Sequence, residues 1–114
     1  MTVEQYHQWF EDTHASERAR FDAMPLADVL AEAAAGRFGH CYAIWKSIGA
    51  RATPAANRQL LDFLESDAEF LQRYHCAGAL IAINRLQLDP GELSGAPKYP
   101  VAQNLARVRS TLGL

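Results

Sequence analysis

The chain has 114 residues and a mass of 12.6 kDa, enough for one domain to bury a core without disulfide or metal staples. With 49% hydrophobic and 21% charged residues it falls outside the disordered class. Net charge is −2, and acids and bases are mixed along the chain, so the basic footprint of a nucleic-acid binder is missing.

The opening "MTVEQYHQWFEDTHASERAR" carries acids where a secretory signal carries a positive start and an apolar run. The longest apolar run, residues 76–83, is too short to cross a bilayer. These features predict a cytoplasmic protein with Cys41 and Cys76 as reduced thiols. The excess of arginine over lysine and the abundance of alanine point to a GC-rich bacterial genome.

Strand signals are nearly absent, and helix signals recur. Thr2 and Gln5 make a capping-box pattern, followed by Val3, Tyr6 and Phe10 at helical spacing, so an N-terminal helical segment is expected over 1–24. Residues 11–20 are polar all round and predict either an exposed extension or a break near 13–16. Pro25 then opens a helix with Leu26, Val29 and Leu30 inward and Gly36 as its stop. Cys41, Ile44, Trp45 and Ile48 form one apolar stripe of the next helix, completing a first helix pair over 25–51.

A second pair is expected over 54–84. Thr53-Pro54 reads as a helix start, with Leu60, Leu61 and Leu64 facing a core and Arg58 and Asp62 facing water. Ser66 and Glu69 spell the capping box SxxE, predicting a helix over 67–84. Its second half, "CAGALIAI", is apolar on every side and is expected to be buried all round, with Gly78 admitting a neighbouring backbone. Residues 86–99, with Pro90, Gly91, Pro97 and Pro100 breaking or bounding the pattern, read as a surface loop. A capping helix over 100–112 buries Val101, Leu105, Val108 and Leu112 and turns Asn104, Arg107 and Arg109 outward. The expected fold is therefore a single all-α domain of five to six helices stacked as antiparallel pairs, a short α-solenoid or helical bundle.

The two His-Cys pairs, His40-Cys41 and His75-Cys76, lie 35 residues apart, and that offset brings Leu26 over Leu61 and Val29 over Leu64. Within 55–83, Ser66-Asp67 and Glu69 precede Arg73, Cys76-Ala77 and Ala79-Leu80 in the order of the second helix of a HEAT repeat. Gln72 and Ile81 depart from the usual valine and glycine of that pattern. This segment resembles a HEAT-like helical repeat. The resemblance implies a stacked right-handed array used as a protein-binding scaffold, in which Arg73 ties neighbouring repeats through an acid.

Chemistry is sparse. Adjacent helical residues point about 100° apart, so neither His-Cys pair closes on one ion, and both cysteines read as walls of the core. Glu4, His7, Glu11 and His14 fall at i, i+3, i+7 and i+10 and define an alternative reading, a metal- or small-ligand-binding bundle, although no ExxH elsewhere supplies a second wall. No nucleophile elbow, phosphate loop or HExxH is present, so no catalytic residue or cofactor is assigned. The remaining signal is polar and aromatic: Arg37, His40, Tyr42 and Lys46, with Gln72, Arg73 and His75, at the starts of the two second helices. The expected function is a protein-interaction module, adaptor or inhibitor, that contacts another protein rather than nucleic acid or membrane. A structural subunit stable only in an oligomer is a third reading.

Overall fold

The computed structural model describes residues 1–95 and 98–114, and these form seven α-helices, one 3₁₀ turn and no strand. The all-α expectation holds, with one helix more than the upper count. The chain divides into two compact units, Met1–Arg51 and Ala52–Leu114, with the boundary between the two predicted helix pairs.

In the first unit, α1 (Val3–Ala23) is continuous through residues 13–16. The capping box is present: the Gln5 backbone N–H donates to Thr2 Oγ1 at 3.1 Å, and the Thr2 N–H to Gln5 Oε1 at 2.8 Å. No glycine or proline interrupts the segment, and Gln8–Asp12 and Arg18–Asp22 contacts at i, i+4, both 2.9 Å, bind successive turns. The polar stretch is thus an extension of one long helix. The next helix, α2 (Leu26–Ala34), follows Pro25 and buries Val29 and Ala33, leaving Leu26 and Leu30 half-buried. It ends in a Schellman motif, with Gly36 at φ 79° and the Arg37 N–H donating to the Glu32 carbonyl.

The third helix, α3 (Ala43–Arg51), packs chiefly on α1 and also on α2. It runs parallel to α1. Glu17 meets His40 and Asp22 meets Ser47, while Arg51 donates to the carbonyls of Phe21 and Met24 at 2.8 and 2.6 Å and so caps the end of α1. All four residues of the predicted stripe are buried, with Cys41 just ahead of the helix; Ala43 and Ser47 are buried as well. Helix α3, not the later segment, is the one enclosed on nearly every side.

In the second unit, Thr53 precedes a 3₁₀ turn, Pro54–Ala56, that leads into α4 (Asn57–Leu64). Leu60, Leu61 and Leu64 are buried as predicted. Helix α5 (Phe70–Asn84) packs antiparallel to α4: Asn57 and Asn84, at opposite sequence ends of the two helices, exchange amide hydrogen bonds of 2.9 and 2.7 Å. A paired, hydrogen-bonded amide is tolerated in a core where a single one would be costly.

Two expectations for α5 are corrected. Ser66 does not open it; its hydroxyl donates to the Phe63 carbonyl at 2.6 Å and accepts from the Ala68 N–H, closing α4, and α5 begins three residues later than predicted. Nor is its apolar half buried all round, because Ala82 is exposed and Gly78, Ile81 and Ile83 are only half-buried. The glycine has no close neighbour: a Cβ at 78 would meet nothing nearer than Pro90 Cγ at 4.0 Å. Gly78→Ala should therefore stabilise the chain by about 1 kcal/mol through helix propensity, read as a rise of ~4 °C or more in Tm. A fall in Tm would show a close contact at this glycine.

The predicted surface loop contains α6 (Gly91–Ser94), which packs on α5 and buries Gly91, Leu93 and Ser94. Asp89 and Glu92 hold this turn reciprocally: the Gly91 N–H donates to Asp89 Oδ1 at 2.8 Å and the Asp89 N–H to Glu92 Oε2 at 2.7 Å. Pro97 lies outside the described residues. The last helix, α7 (Val101–Thr111), packs on α6 and has Leu105 and Val108 buried, with Val101 and Leu112 half-buried. Two of its predicted outward residues turn inward instead. Asn104 donates to the Glu92 carbonyl at 2.9 Å, and Arg109 donates to Asp62 at 2.8 Å and to Glu65 at 2.6 Å. Those carboxylates hold the Arg109 guanidinium protonated beyond its usual range.

Candidate interaction surface

The seven polar-aromatic residues are divided between the two units. In the first, Arg37 turns back on its own helix and pairs with Glu32 at 2.9 Å; this guanidinium holds the Glu32 carboxyl below its ordinary value. His40 and Lys46 are exposed, and Tyr42 is half-buried. In the second unit Gln72, Arg73 and His75 are all half-buried. Arg73 donates to the Ala68 carbonyl at 2.8 Å, across the start of its own helix, and the Tyr74 and His75 rings meet edge to face at 5.4 Å.

The clearest exposed feature lies on the first turns of α1, on the face that helical spacing marks as apolar. Val3, Tyr6 and Phe10 share one face of α1, yet Val3 is 71% and Tyr6 49% exposed, Phe10 is half-buried, and Trp9 beside them is 42% exposed. The Tyr6 ring lies 6.0 Å from Trp9 and 6.5 Å from Phe10, and Phe10 stacks on His14 at 6.2 Å. Phe21, further along the same face, is fully buried. The reason is length. Twenty-one residues of helix span about 31 Å, whereas the nine residues of α3 span about 13 Å, so α3 covers only part of the stripe.

Further along α1 lies a polar cleft of about 460 Å³ lined by Asp12, Thr13, Ser16, Glu17, Arg20, Gly39 and His40. The Glu17 carboxylate is clasped there by the His40 backbone N–H, which approaches its two oxygens at 2.8 and 3.0 Å. Gly39, at φ 80°, makes that approach possible, since a Cβ on it would overlap Glu17 Oε2. Arg20 lies over the Phe21 ring at 4.5 Å. Below the cleft, the Ser47 hydroxyl donates to Asp22 at 2.6 Å and, with desolvation opposing and Arg18 assisting, holds the Asp22 carboxyl below its ordinary range.

The alternative metal quartet stays on α1, with Glu4, His7 and Glu11 exposed and His14 half-buried. Among the described residues no group of three or more His, Cys, Asp or Glu side chains is set to share a metal ion. Both cysteines are free and buried, Cys41 Sγ lying 3.8 Å from the Phe10 carbonyl and Cys76 Sγ 3.6 Å from the Leu60 carbonyl. Burial pushes both thiols up, Cys76 far above the thiol range, and Glu17 adds to the effect at Cys41. Such thiols are poor nucleophiles.

This sets a pH dependence. With the folded Cys76 thiol raised, the unfolded chain ionises first, near pH 8.5, so unfolding releases a proton and stability falls as pH climbs above that value. The loss approaches about 1.4 kcal/mol per pH unit. Urea unfolding at pH 7 and 10.5 should show a smaller alkaline loss for Cys76→Ala than for the parent chain; equal losses would assign the effect to other groups.

Compared with known proteins, the chain matches no family model, no curated protein and no solved structure. Among the described residues no helix is long and apolar enough to cross a membrane.

Sequence reasoning did not single out Trp9, Asp12, Thr13, Ser16, Glu17 or Arg20 as site residues, although it allowed an exposed extension over 11–20. Two signals were available. Residues 1–17 hold four acids and no lysine or arginine, and "YHQWF" packs three aromatic residues into five positions.

Proposed function

We propose that this chain is a protein-interaction module, an adaptor or inhibitor, whose partner engages the first turns of α1. The observation that carries this reading is the exposure of Val3, Tyr6 and Trp9 beside Phe10, an apolar helical stripe extending past the core it would otherwise join. Isolated exposed apolar residues are ordinary, but a contiguous aromatic patch with a polar rim is typical of a binding surface. His40, in the wall of the cleft further along α1, belongs both to this surface and to the expected polar-aromatic set, with Tyr42 and Lys46 following it in the chain. The HEAT-like character of 55–83 and a cytoplasmic setting, which would keep the two buried thiols reduced, belong to the same proposal.

The test is site-specific photo-crosslinking of the full chain in its native cell, with the reactive group replacing Tyr6, Trp9, Lys46 or Arg73 in turn. Adducts with another protein should form from positions 6 and 9. Adducts from Arg73 with none from 6 or 9 would move the surface to the second unit and remove this reading of α1.

A further inference from the structure

Taking the docking role of α1 as given, we propose that its partner is a basic amphipathic segment of another protein, laid along Tyr6, Trp9 and Phe10 with a lysine or arginine reaching into the cleft beside Asp12 and Glu17. Three observations converge on this chemistry. The stripe itself asks for apolar side chains spaced along a helix or extended segment, since Val3, Tyr6 and Phe10 repeat at i, i+3 and i+7.

Charge then selects among amphipathic occupants. Glu4, Glu11, Asp12 and Glu17 are the only formally charged side chains of residues 1–17, although the whole chain carries only −2. The first cation on α1 is Arg18, which is tied to Asp22 at 2.9 Å; Arg20, itself in the cleft lining, lies over the Phe21 ring, and with Asp12 and Glu17 beside it the lining keeps a net negative charge. A second copy of this chain would set the same acids against each other, and an anionic membrane surface would be repelled. A basic segment meets no such penalty and gains long-range attraction.

Size and shape complete the argument. The three aromatic residues can bury no more than about 150–250 Å² each, and all are partly covered already, which falls well short of the roughly 800 Å² per partner of a stable globular interface. That area suits a peptide-sized occupant. The cleft of about 460 Å³ accommodates one long cationic side chain, and the clasp on Glu17 keeps that carboxylate in its wall.

The experiment uses the full chain and three synthetic fourteen-residue peptides, followed by fluorescence anisotropy. One is an amphipathic leucine–lysine helix, one a leucine–glutamate helix with the same apolar pattern, and one a leucine–lysine scramble without an apolar face. The leucine–lysine helix should bind at least tenfold more tightly than either control and weaken at least tenfold between 0.05 and 0.5 M salt. Trp9→Ala should weaken it about tenfold with the helical content unchanged, and Glu4→Gln/Glu11→Gln/Asp12→Asn should flatten the salt dependence.

Equal binding of the lysine and glutamate helices overturns the proposal, as does lysine-helix binding unchanged by Trp9→Ala or absent at ~1 mM peptide. Self-association of the free chain abolished by Trp9→Ala also overturns it, because a second copy then covers the stripe. A native complex that depends on Trp9 but contacts α1 through an acidic or neutral segment overturns this proposal while leaving the interaction module standing. A native complex indifferent to both Tyr6→Ala and Trp9→Ala removes the docking role of α1 on which this proposal rests.

Discussion

Trp45→Ala should destabilise the first unit by about 3–5 kcal/mol, the cost of truncating a buried aromatic residue whose space cannot be refilled. Trp45 is only 2% exposed on the helix that α1 and α2 both contact, and its ring lies 5.9 Å from that of Phe38. Ring pairs of this kind add about 0.5–1.5 kcal/mol beyond their buried area. A unit of this size has little reserve, since whole domains are stable by only about 5–15 kcal/mol. Hydrogen exchange should therefore accelerate in the amides of α1 to α3, and the urea midpoint should fall sharply. Trp45→Phe should retain part of the packing and lose roughly half as much. Trp9→Ala is the contrasting case. With 42% of its surface already exposed, it should change stability by about 0.5 kcal/mol or less while weakening partner binding. Equal destabilisation by the two tryptophan truncations would mean that Trp9 is a core residue and not a surface one.

The contrast between the two tryptophans also marks how far the sequence could be read. Helical spacing identified Cys41, Ile44, Trp45 and Ile48 as a buried stripe, and Leu60, Leu61 and Leu64 as another, because a period near 3.6 with the right turn residues leaves few alternatives. The same rule applied to Val3, Tyr6 and Phe10 gave the helix and the shared face but not its surroundings. Periodicity states that a face is apolar; whether anything covers it depends on how long the neighbouring helices are, and α3 is less than half the length of α1. Capping signals show a similar limit. The box at Thr2 and Gln5 is present as spelled, whereas the equally well-spelled Ser66 and Glu69 are not, because the Ser66 hydroxyl is taken by the helix that ends there. Asp89 and Glu92 hold α6 by the same chemistry within a stretch whose prolines and glycine suggested only a loop. The candidate site was less legible still. His40 was singled out, but the acid it clasps, Glu17, lies 23 residues away in a stretch with no motif.

That clasp gives the second large effect: Gly39→Ala should cost about 2–3 kcal/mol and distort the cleft. Two causes act together. Alanine in the left-handed region costs about 1–2 kcal/mol, and its Cβ would overlap Glu17 Oε2, so the carboxylate must swing away from the His40 N–H. A hydrogen bond to a charged group contributes about 1.5–3 kcal/mol when enclosed, and water replaces part of it at an exposed loop, which keeps the sum near the lower end. Glu17→Ala alone removes the hydrogen bonds without the overlap and should cost about 1 kcal/mol. The double variant Glu17→Ala/Gly39→Ala has no carboxylate left to displace, so its cost should fall short of the sum of the singles by about 1 kcal/mol in urea unfolding. Strict additivity would mean that Glu17 moves aside freely and that the clasp does not shape the loop. The binding readout follows the same logic. If Glu17 must stand in the cleft wall to meet a cation, Gly39→Ala should weaken the leucine–lysine helix several-fold with Tyr6 and Trp9 untouched. The double variant, though more stable than additivity predicts, should not recover that binding. Stability rescued without affinity would separate the strain at Gly39 from the charge at Glu17, and assign the two residues different parts in one site.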